Sequence, residues 1–162
     1  MQEFMKRRLD DDAYPIIMID GVGFGEYLVL VALGVKTNGE KRILGIREGS
    51  SENSEVCKDL ISDIINRGVG VDINRLFILD GSKALSKAVR ESFGSRQEIQ
   101  RCQLHKKRNV EGYLPESEKS RVISEMKAAY AEFDYNIAKQ KLERLATSLQ
   151  YKYPSAAESI RE

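Results

Sequence analysis

An Asn-Gly pair at positions 38 and 39 sits between two β-rich apolar runs, residues 26–35 and 41–47. Asn and Gly both accept positive φ, and flanked by hydrophobic runs the pair is the strongest short-range signal of a β-hairpin. It therefore predicts two antiparallel neighbouring strands. Two further apolar runs, Tyr14 to Asp20 (YPIIMID) and Arg75 to Asp80 (RLFILD), read as short buried strands, and each is followed by glycine. Pro15 is compatible with the first of these only at its opening residues. A helix is predicted between the third and fourth strands. Ser51 or Ser54 would cap it, Glu52 and Glu55 would suit its first turns, Val56, Leu60, Ile61 and Ile64 would form its apolar face, and Gly68 lies just past its end. Ser82 opens a second helix with Leu85, Ala88, Val89 and Phe93 on one face, stopped at Gly94, and residues 98–102 make a short fifth strand.

The order β-β-β-α-β-α-β predicts a mixed five-stranded sheet with helices packed on its faces, an α/β fold. Beyond His105 helical periods dominate. Val122, Met126, Tyr130 and Phe133 make one stripe, and Ala138, Leu142, Leu145 and Leu149 another. Residues 151–154 break the second of these helices, and Ser155 starts a third. The charged first 13 residues read as an extended or frayed lead-in. The expected division is thus a lead-in at 1–13, a core at 14–112 and a helical region at 113–162.

The chain of 162 residues is long enough for one domain with a real core. Its cysteines, Cys57 and Cys102, with the single histidine His105, cannot complete a four-ligand Cys/His zinc site. A metal would fall mainly to carboxylates. The net charge of +1, from 26 basic and 25 acidic residues, provides no global field toward nucleic acid, so a DNA role must come from local patches. No apolar stretch suits a membrane span or a signal peptide, which leads to the expectation of a cytoplasmic protein without a membrane partner.

Asp20 and Asp80 are the main candidates for chemistry. If their strands are parallel neighbours, both carboxylates emerge at one sheet edge, where open α/β sheets bind ligands. A hard divalent cation relieves the repulsion of two such carboxylates. Mg²⁺ suits carboxylate and phosphate oxygens, and two ions together can assist both the attacking and the leaving oxygen of a phosphodiester. The competing reading of each Asp-Gly is ordinary turn chemistry. Gly21, Gly23 and Gly25 follow the first strand, but their G-x-G-x-G spacing precedes another strand rather than the helix a dinucleotide loop requires. They read as a flexible hairpin loop. In Arg101 to Arg108 (RCQLHKKR), Arg101, Lys106, Lys107 and Arg108 could contact DNA phosphates, against the alternative of a solvated charged face. Cys102 and His105 have the spacing of half a zinc site, and a buried cysteine beside a histidine hydrogen-bonded near the acidic cluster is the preferred reading. Tyr151 and Tyr153 could stack on bases, although packing is the commoner role.

These segments together carry a resemblance. The runs 14–21 (YPIIMIDG), 44–53 (LGIREGSSEN), 80–85 (DGSKAL) and 100–110 (QRCQLHKKRNV), and more weakly 153–162 (YPSAAESIRE), resemble transposases of the Mutator-like superfamily of bacterial insertion sequences. The resemblance implies a ribonuclease-H-like fold with a DDE triad. Asp20 matches its first aspartate and Asp80 its second, both as catalytic residues and as ligands of Mg²⁺ or Mn²⁺, with two ions in the complete enzyme. Cys102 and His105 match a Cys-x-x-His signature near the active site, and the helices from about residue 117 match an all-helical insertion in the core. The implied reaction is metal-dependent cleavage of transposon ends by water, then strand transfer into target DNA. The third carboxylate, a Glu, is expected downstream of the helical insertion. Glu158 and Glu162 stand in the wrong motif for it, and the family's N-terminal DNA-binding region is not present. The chain is therefore expected to be a C-terminally truncated core, inactive alone, with DNA as partner and a homodimer as one possible state. The alternative is a non-catalytic remnant that folds, dimerises or binds DNA without cutting.

Overall fold

The computed structural model describes residues 2–49 and 54–162. Ser51 and Glu52, expected at the start of the first long helix, lie outside the described residues. The five expected strands form one sheet in the order β3-β2-β1-β4-β5, built from β1 (Ile16–Phe24), β2 (Tyr27–Val35), β3 (Lys41–Gly49), β4 (Leu76–Leu79) and β5 (Glu98–Arg101). β1, β2 and β3 pair antiparallel, whereas β4 runs parallel to β1 and β5 parallel to β4. This is the mixed sheet that the element order predicts, and its order is that of the ribonuclease-H-like arrangement.

Two turns differ in detail from the sequence reading. β1 does not stop at Asp20. It continues through Gly21 and Gly23 to Phe24, which pairs with Tyr27. The full length of β2 templates this extension through backbone hydrogen bonds, so the expected glycine loop shrinks to Gly25 and Glu26, with Gly25 at φ +60°. Glycine first at positive φ is the pattern of a type II′ hairpin. In the β2–β3 connection only Gly39 takes positive φ (+86°), and Asn38 does not. The amide of Gly39 donates to the Lys36 carbonyl at 2.9 Å and that of Lys36 to the Glu40 carbonyl at 2.9 Å, which makes a three-residue loop with Gly39 in the left-handed position. The hairpin is as expected, but the role of Asn38 changes: its Oδ1 accepts from the Glu40 amide at 2.9 Å.

The crossover helices are α2 (Ser54–Asn66) and α3 (Lys83–Phe93). Cys57, Leu60, Ile61 and Ile64 of α2 and Leu85, Ala88, Val89 and Phe93 of α3 join Ile17, Ile19, Leu30, Ala32, Leu44, Phe77 and Leu79 of the sheet in one core. Both helices thus cover the same sheet face. α2 comes so close at Gly45 that a Cβ there would lie 3.0 Å from Leu60 and Ile64. After α2, the amide of Val69 donates to Ile64 and that of Gly68 (φ +114°) to Ile65, the paired hydrogen bonds of a Schellman motif. The carbonyls at the helix end are thereby satisfied.

The N-terminal segment is not a frayed lead-in. After α1 (Gln2–Lys6), Leu9 is fully buried in the core and its amide donates to the Arg67 carbonyl at 2.7 Å. Asp11 receives Arg42 at 3.0 Å, and Asp12 pairs with Lys36 at 3.0 Å. The high charge of residues 1–13 concealed one apolar anchor and two acids matched to cations, Lys36 just past β2 and Arg42 on β3. Hydrogen bonding from Arg42 holds the Asp11 carboxyl below the usual carboxylate range. Its contribution is therefore present above the ordinary carboxylate pKa and fades as pH falls through the lowered value.

Residues 103–162 form a second compact unit after the unit at 1–102. It holds α4 (Gln103–Glu111), α5 (Glu116–Tyr130), α6 (Tyr135–Leu149) and α7 (Pro154–Arg161). Val110, Leu114, Val122, Met126, Leu145, Ala146, Leu149, Ala156, Ala157 and Ile160 make its own core. Phe133 leaves the predicted stripe and is fully exposed. α5 has ended at Tyr130, and Asp134 caps α6 by accepting from the amides of Asn136 and Ile137 at 2.8 and 3.0 Å. A residue just before an N-cap is off the helix, so helical spacing no longer places it. Tyr151 is likewise exposed, whereas Tyr153 packs on the helical core.

Leu9→Ala is expected to lower unfolding free energy by about 2–5 kcal/mol, the range for truncating a fully buried leucine. Urea denaturation would measure it, and a loss under about 0.5 kcal/mol, typical of surface sites, would return the segment to a frayed state.

Candidate active site

The site begins with the register of two strands. In the parallel β1–β4 pair, Ile19 stands opposite Leu79. Asp20 follows the first and Asp80 the second, so the two aspartates emerge from neighbouring backbone positions, on strands about 4.8 Å apart. Asp20 remains within β1, paired with Val31 of β2, while Asp80 lies immediately past β4. Side chains alternate along a strand. Ile17 and Ile19 point into the helix-covered core, so Asp20 leaves by the other face and is exposed.

Asp80 is half-buried and set by the turn it starts. Its Oδ1 accepts from the Ser82 amide at 2.8 Å. The intervening Gly81 has φ +110°, a left-handed value. Ser82 then caps α3, its Oγ accepting from the Leu85 amide at 3.2 Å. The Asp-Gly-Ser sequence thus serves as both turn and helix start, and one carboxylate oxygen of Asp80 is engaged in fixing that geometry.

The next strand supplies a cation. Arg101 ends β5 opposite Leu79, and the Cys102 amide donates to the Leu79 carbonyl at 2.6 Å. The Arg101 guanidinium lies against Gly81: a Cβ built on that glycine would be 2.5 Å from Nε, 2.9 Å from Cζ and 3.1 Å from Nη2. The first unit therefore sets Asp20, in mid-strand on β1, level with the carboxyl ends of β4 and β5, where Asp80, Arg101 and Cys102 stand. The close seating of Arg101 on Gly81 had no counterpart in spacing or motif, although the glycine after Asp80 was its sole local sign.

His105, Lys106, Lys107 and Arg108 belong to α4 in the second unit. Arg108 is exposed, and His105 and Lys107 are half-buried. Lys106 is only 6% exposed, with its Nζ 3.7 Å from the Glu162 carboxylate. It lies four residues before the buried Val110, hence on the same helix face. A solvent-facing role for all four expected DNA contacts is thus corrected at Lys106, which helical geometry turns inward. Cys102 is half-buried with a free thiol. Among the described residues no cluster of three or more His, Cys, Asp or Glu is arranged to hold a metal ion, and no helix is long and apolar enough to cross a membrane.

The description "Transposase, Mutator family" matches residues 1–162, the whole chain. The chain belongs to the Mutator family of transposases. It is 32% identical to the transposase for insertion sequence element IS6120 of Mycolicibacterium smegmatis, over 97% of this chain and 50% of that protein. It is 28% identical to the transposase for element IS256 in transposon Tn4001 of Staphylococcus aureus, over 99% of this chain and 43% of the relative. This Mutator-family chain thus spans about half the length of the curated relatives it matches. Among solved structures it is similar to a chain in the cryoEM structure of a simian T-cell lymphotropic virus intasome in complex with PP2A regulatory subunit B56 gamma. That likeness has a TM-score of 0.40 and 13% identity, and covers 83% of this chain and 49% of the other. The fold assignment rests on the chain's own strand order.

Gly81→Ala is expected to destabilise the first unit by about 1–3 kcal/mol, from left-handed strain and the displaced guanidinium. Chemical denaturation would show it, and a neutral substitution would mean that neither the backbone conformation nor the Arg101 seat exists in solution.

Proposed function

We propose that this chain carries the catalytic sheet of an insertion-sequence transposase, in which Asp20 and Asp80 hold divalent metal for cleavage of transposon ends and strand transfer into target DNA. The supporting observation is the register of β1 and β4, which starts both aspartates from adjacent positions at the carboxyl end of β4. Ligand sites of open α/β sheets favour this edge. Family membership supports the transposase reading, and the relatives named above are transposases of insertion sequences.

The donors fit the metal in kind. Asp20 and Asp80 offer hard carboxylate oxygens, which Mg²⁺ or Mn²⁺ prefers, and no soft ligand need intervene. Two carboxylates make an incomplete set, so a third anionic donor, the Glu of the DDE pattern, would complete it from outside this pair. When bound, the metal supplies Lewis-acid stabilisation of phosphate oxygens and eases deprotonation of the attacking water. The protein's own part is positional. The Asp80 carboxylate is fixed by the Ser82 amide, and the Asp20 backbone by its pairing with Val31 of β2. Rigid placement matters because small displacements of ligands cost large factors in rate. Arg108 and Lys107, with Arg101, are the proposed contacts to DNA phosphates, and such contacts position DNA rather than read its sequence. Cys102 and His105 are proposed as the family's signature near the site.

Mn²⁺ is expected to raise the melting temperature of this chain, and Asp20→Asn or Asp80→Asn to abolish most of that rise. Differential scanning fluorimetry across a metal titration checks this; an undiminished rise in both variants would remove the aspartates from the metal site. In a transposase extended to the length of the relatives, labelled transposon-end DNA should be cut with Mg²⁺ by the unaltered protein. Either aspartate variant should lose at least about 100-fold, in line with losing an essential group. Equal cutting in all three proteins would end the mechanistic reading.

A further inference from the structure

We infer that the outer ridge of α3, formed by Lys83, Lys87 and Arg90, is a second DNA-binding surface, one that grips the phosphate backbone of a duplex without reading its sequence. It stands apart from the Asp20–Asp80 pair. α3 covers the core face of the sheet, whereas Asp20 leaves by the other face.

The ridge follows from helical spacing. Leu85, Ala88, Val89 and Phe93 of α3 are buried in the core. At about 3.6 residues per turn, positions 83, 87 and 90 share an arc of about 60°, and that arc lies opposite the buried one. All three residues are exposed. Among the described residues no carboxylate pairs with Lys83 or Arg90. Glu91 sits on the flank of the ridge. Its carboxylate meets Lys58 of α2 at 2.8 Å and Lys87 only at 3.8 Å. Arg96 adds a further exposed cation two residues past the stop at Gly94.

Solvated helix faces ordinarily mix both signs of charge. α2, which packs beside α3, does so: its exposed positions include Glu55, Lys58 and Asp59. The ridge of α3 does not, and helix stability gives no reason for it. Like charges four residues apart, as at 83 and 87, repel slightly. Lys83 also stands in a first turn that holds no acid, where the helix dipole disfavours a cation. Both are small costs that a bound polyanion turns into attraction.

The dimensions suit one strand of a duplex. Lys83 and Arg90 are seven residues apart, a rise of about 10 Å, and a DNA strand carries a phosphate about every 3.4 Å of axis, so the ridge spans about three of them. The chain's net charge of +1 provides no general attraction, so duplex binding falls to a concentrated patch of this kind. A duplex held here lies on the side of the sheet away from Asp20. That suits an enzyme that handles two DNA segments, a transposon end and its target, a role that rests on the reaction proposed above.

The test is fluorescence-anisotropy titration of this chain with a labelled duplex of arbitrary sequence, about 20 base pairs long, without divalent metal and over a range of salt. The triple variant Lys83→Gln/Lys87→Gln/Arg90→Gln is expected to bind at least about tenfold more weakly at about 0.1 M salt, and its slope of log affinity against log salt should flatten by about 2–3. Lys83→Arg/Lys87→Arg/Arg90→Lys keeps the charge and should stay within about twofold of the unaltered chain. Lys119→Gln/Arg121→Gln/Lys127→Gln removes the same charge from α5, where Lys119 and Arg121 are paired with glutamates, and should also stay within about twofold. Thermal melts check that each variant folds. Should the ridge triple not fold, Lys87→Gln alone is expected to lose about two- to threefold. An unchanged affinity and slope in the ridge variant, or an equal loss in the α5 variant, would overturn the inference, as would a chain that binds no duplex at low salt. Any of these outcomes leaves the metal reading standing, because that reading is decided by the Mn²⁺ melts of the aspartate variants. Failure of those melts would likewise leave the ridge standing.

Discussion

Parallel pairing of β1 with β4 is the constraint on which the rest of the first unit depends. It joins an antiparallel three-stranded meander to the αβ units that follow, and it does so through only four register pairs, Ile16↔Leu76 to Ile19↔Leu79. Slipping that register by one residue would turn Ile17, Ile19, Phe77 or Leu79 out of the core, because strand side chains alternate. The packing that buries these four residues under α2 and α3 thus also decides where Asp20 and Asp80 stand. Core formation and site formation are one event here.

The two aspartates are nonetheless held by different means. Asp20 pairs with Val31 of β2 and directly follows Ile19, the last residue paired with β4, so its backbone has little freedom. Asp80 lies past the end of its strand and relies on local devices: its own bond to the Ser82 amide, the left-handed Gly81 and the cap that begins α3. Arg101 lies against this turn from β5. The turn is therefore the part of the site in which small substitutions have the largest leverage, while Asp20 is protected by the sheet.

Much of this arrangement was legible in the residues. The succession of strands and helices along the chain, the hairpin at 36–40, the cap at Ser82, the stop at Gly94 and the apolar faces of α2 and α3 all follow from local patterns whose physical meaning is local. Readings failed where a distant partner decided the outcome. Gly21 and Gly23 suggest a loop by composition, but β2 supplies a full ladder of partners and the strand continues. Residues 1–13 look frayed by charge, but Leu9 finds the core and Asp11 finds Arg42. Phe133 is the exception, since a local signal overrode the helical stripe there: the cap at Asp134 starts a new helix just beyond it. Lys106 reads as one more cation in a basic run, whereas α4 turns it toward Glu162.

The sequence by itself determined the element types, the strand end at Asp80-Gly81 and the family to which the chain is similar, because each is written in neighbouring residues and their periods. The tertiary structure alone decided that β1 and β4 are neighbours in a register that aligns Asp20 with Asp80, and that Arg101 settles on Gly81. These are matters of which strands share hydrogen bonds and which side chains share volume. The first is set by pairing across 60 positions, as Ile16↔Leu76 shows, and the second by a contact across 20, from Gly81 to Arg101, and no local pattern carries that information.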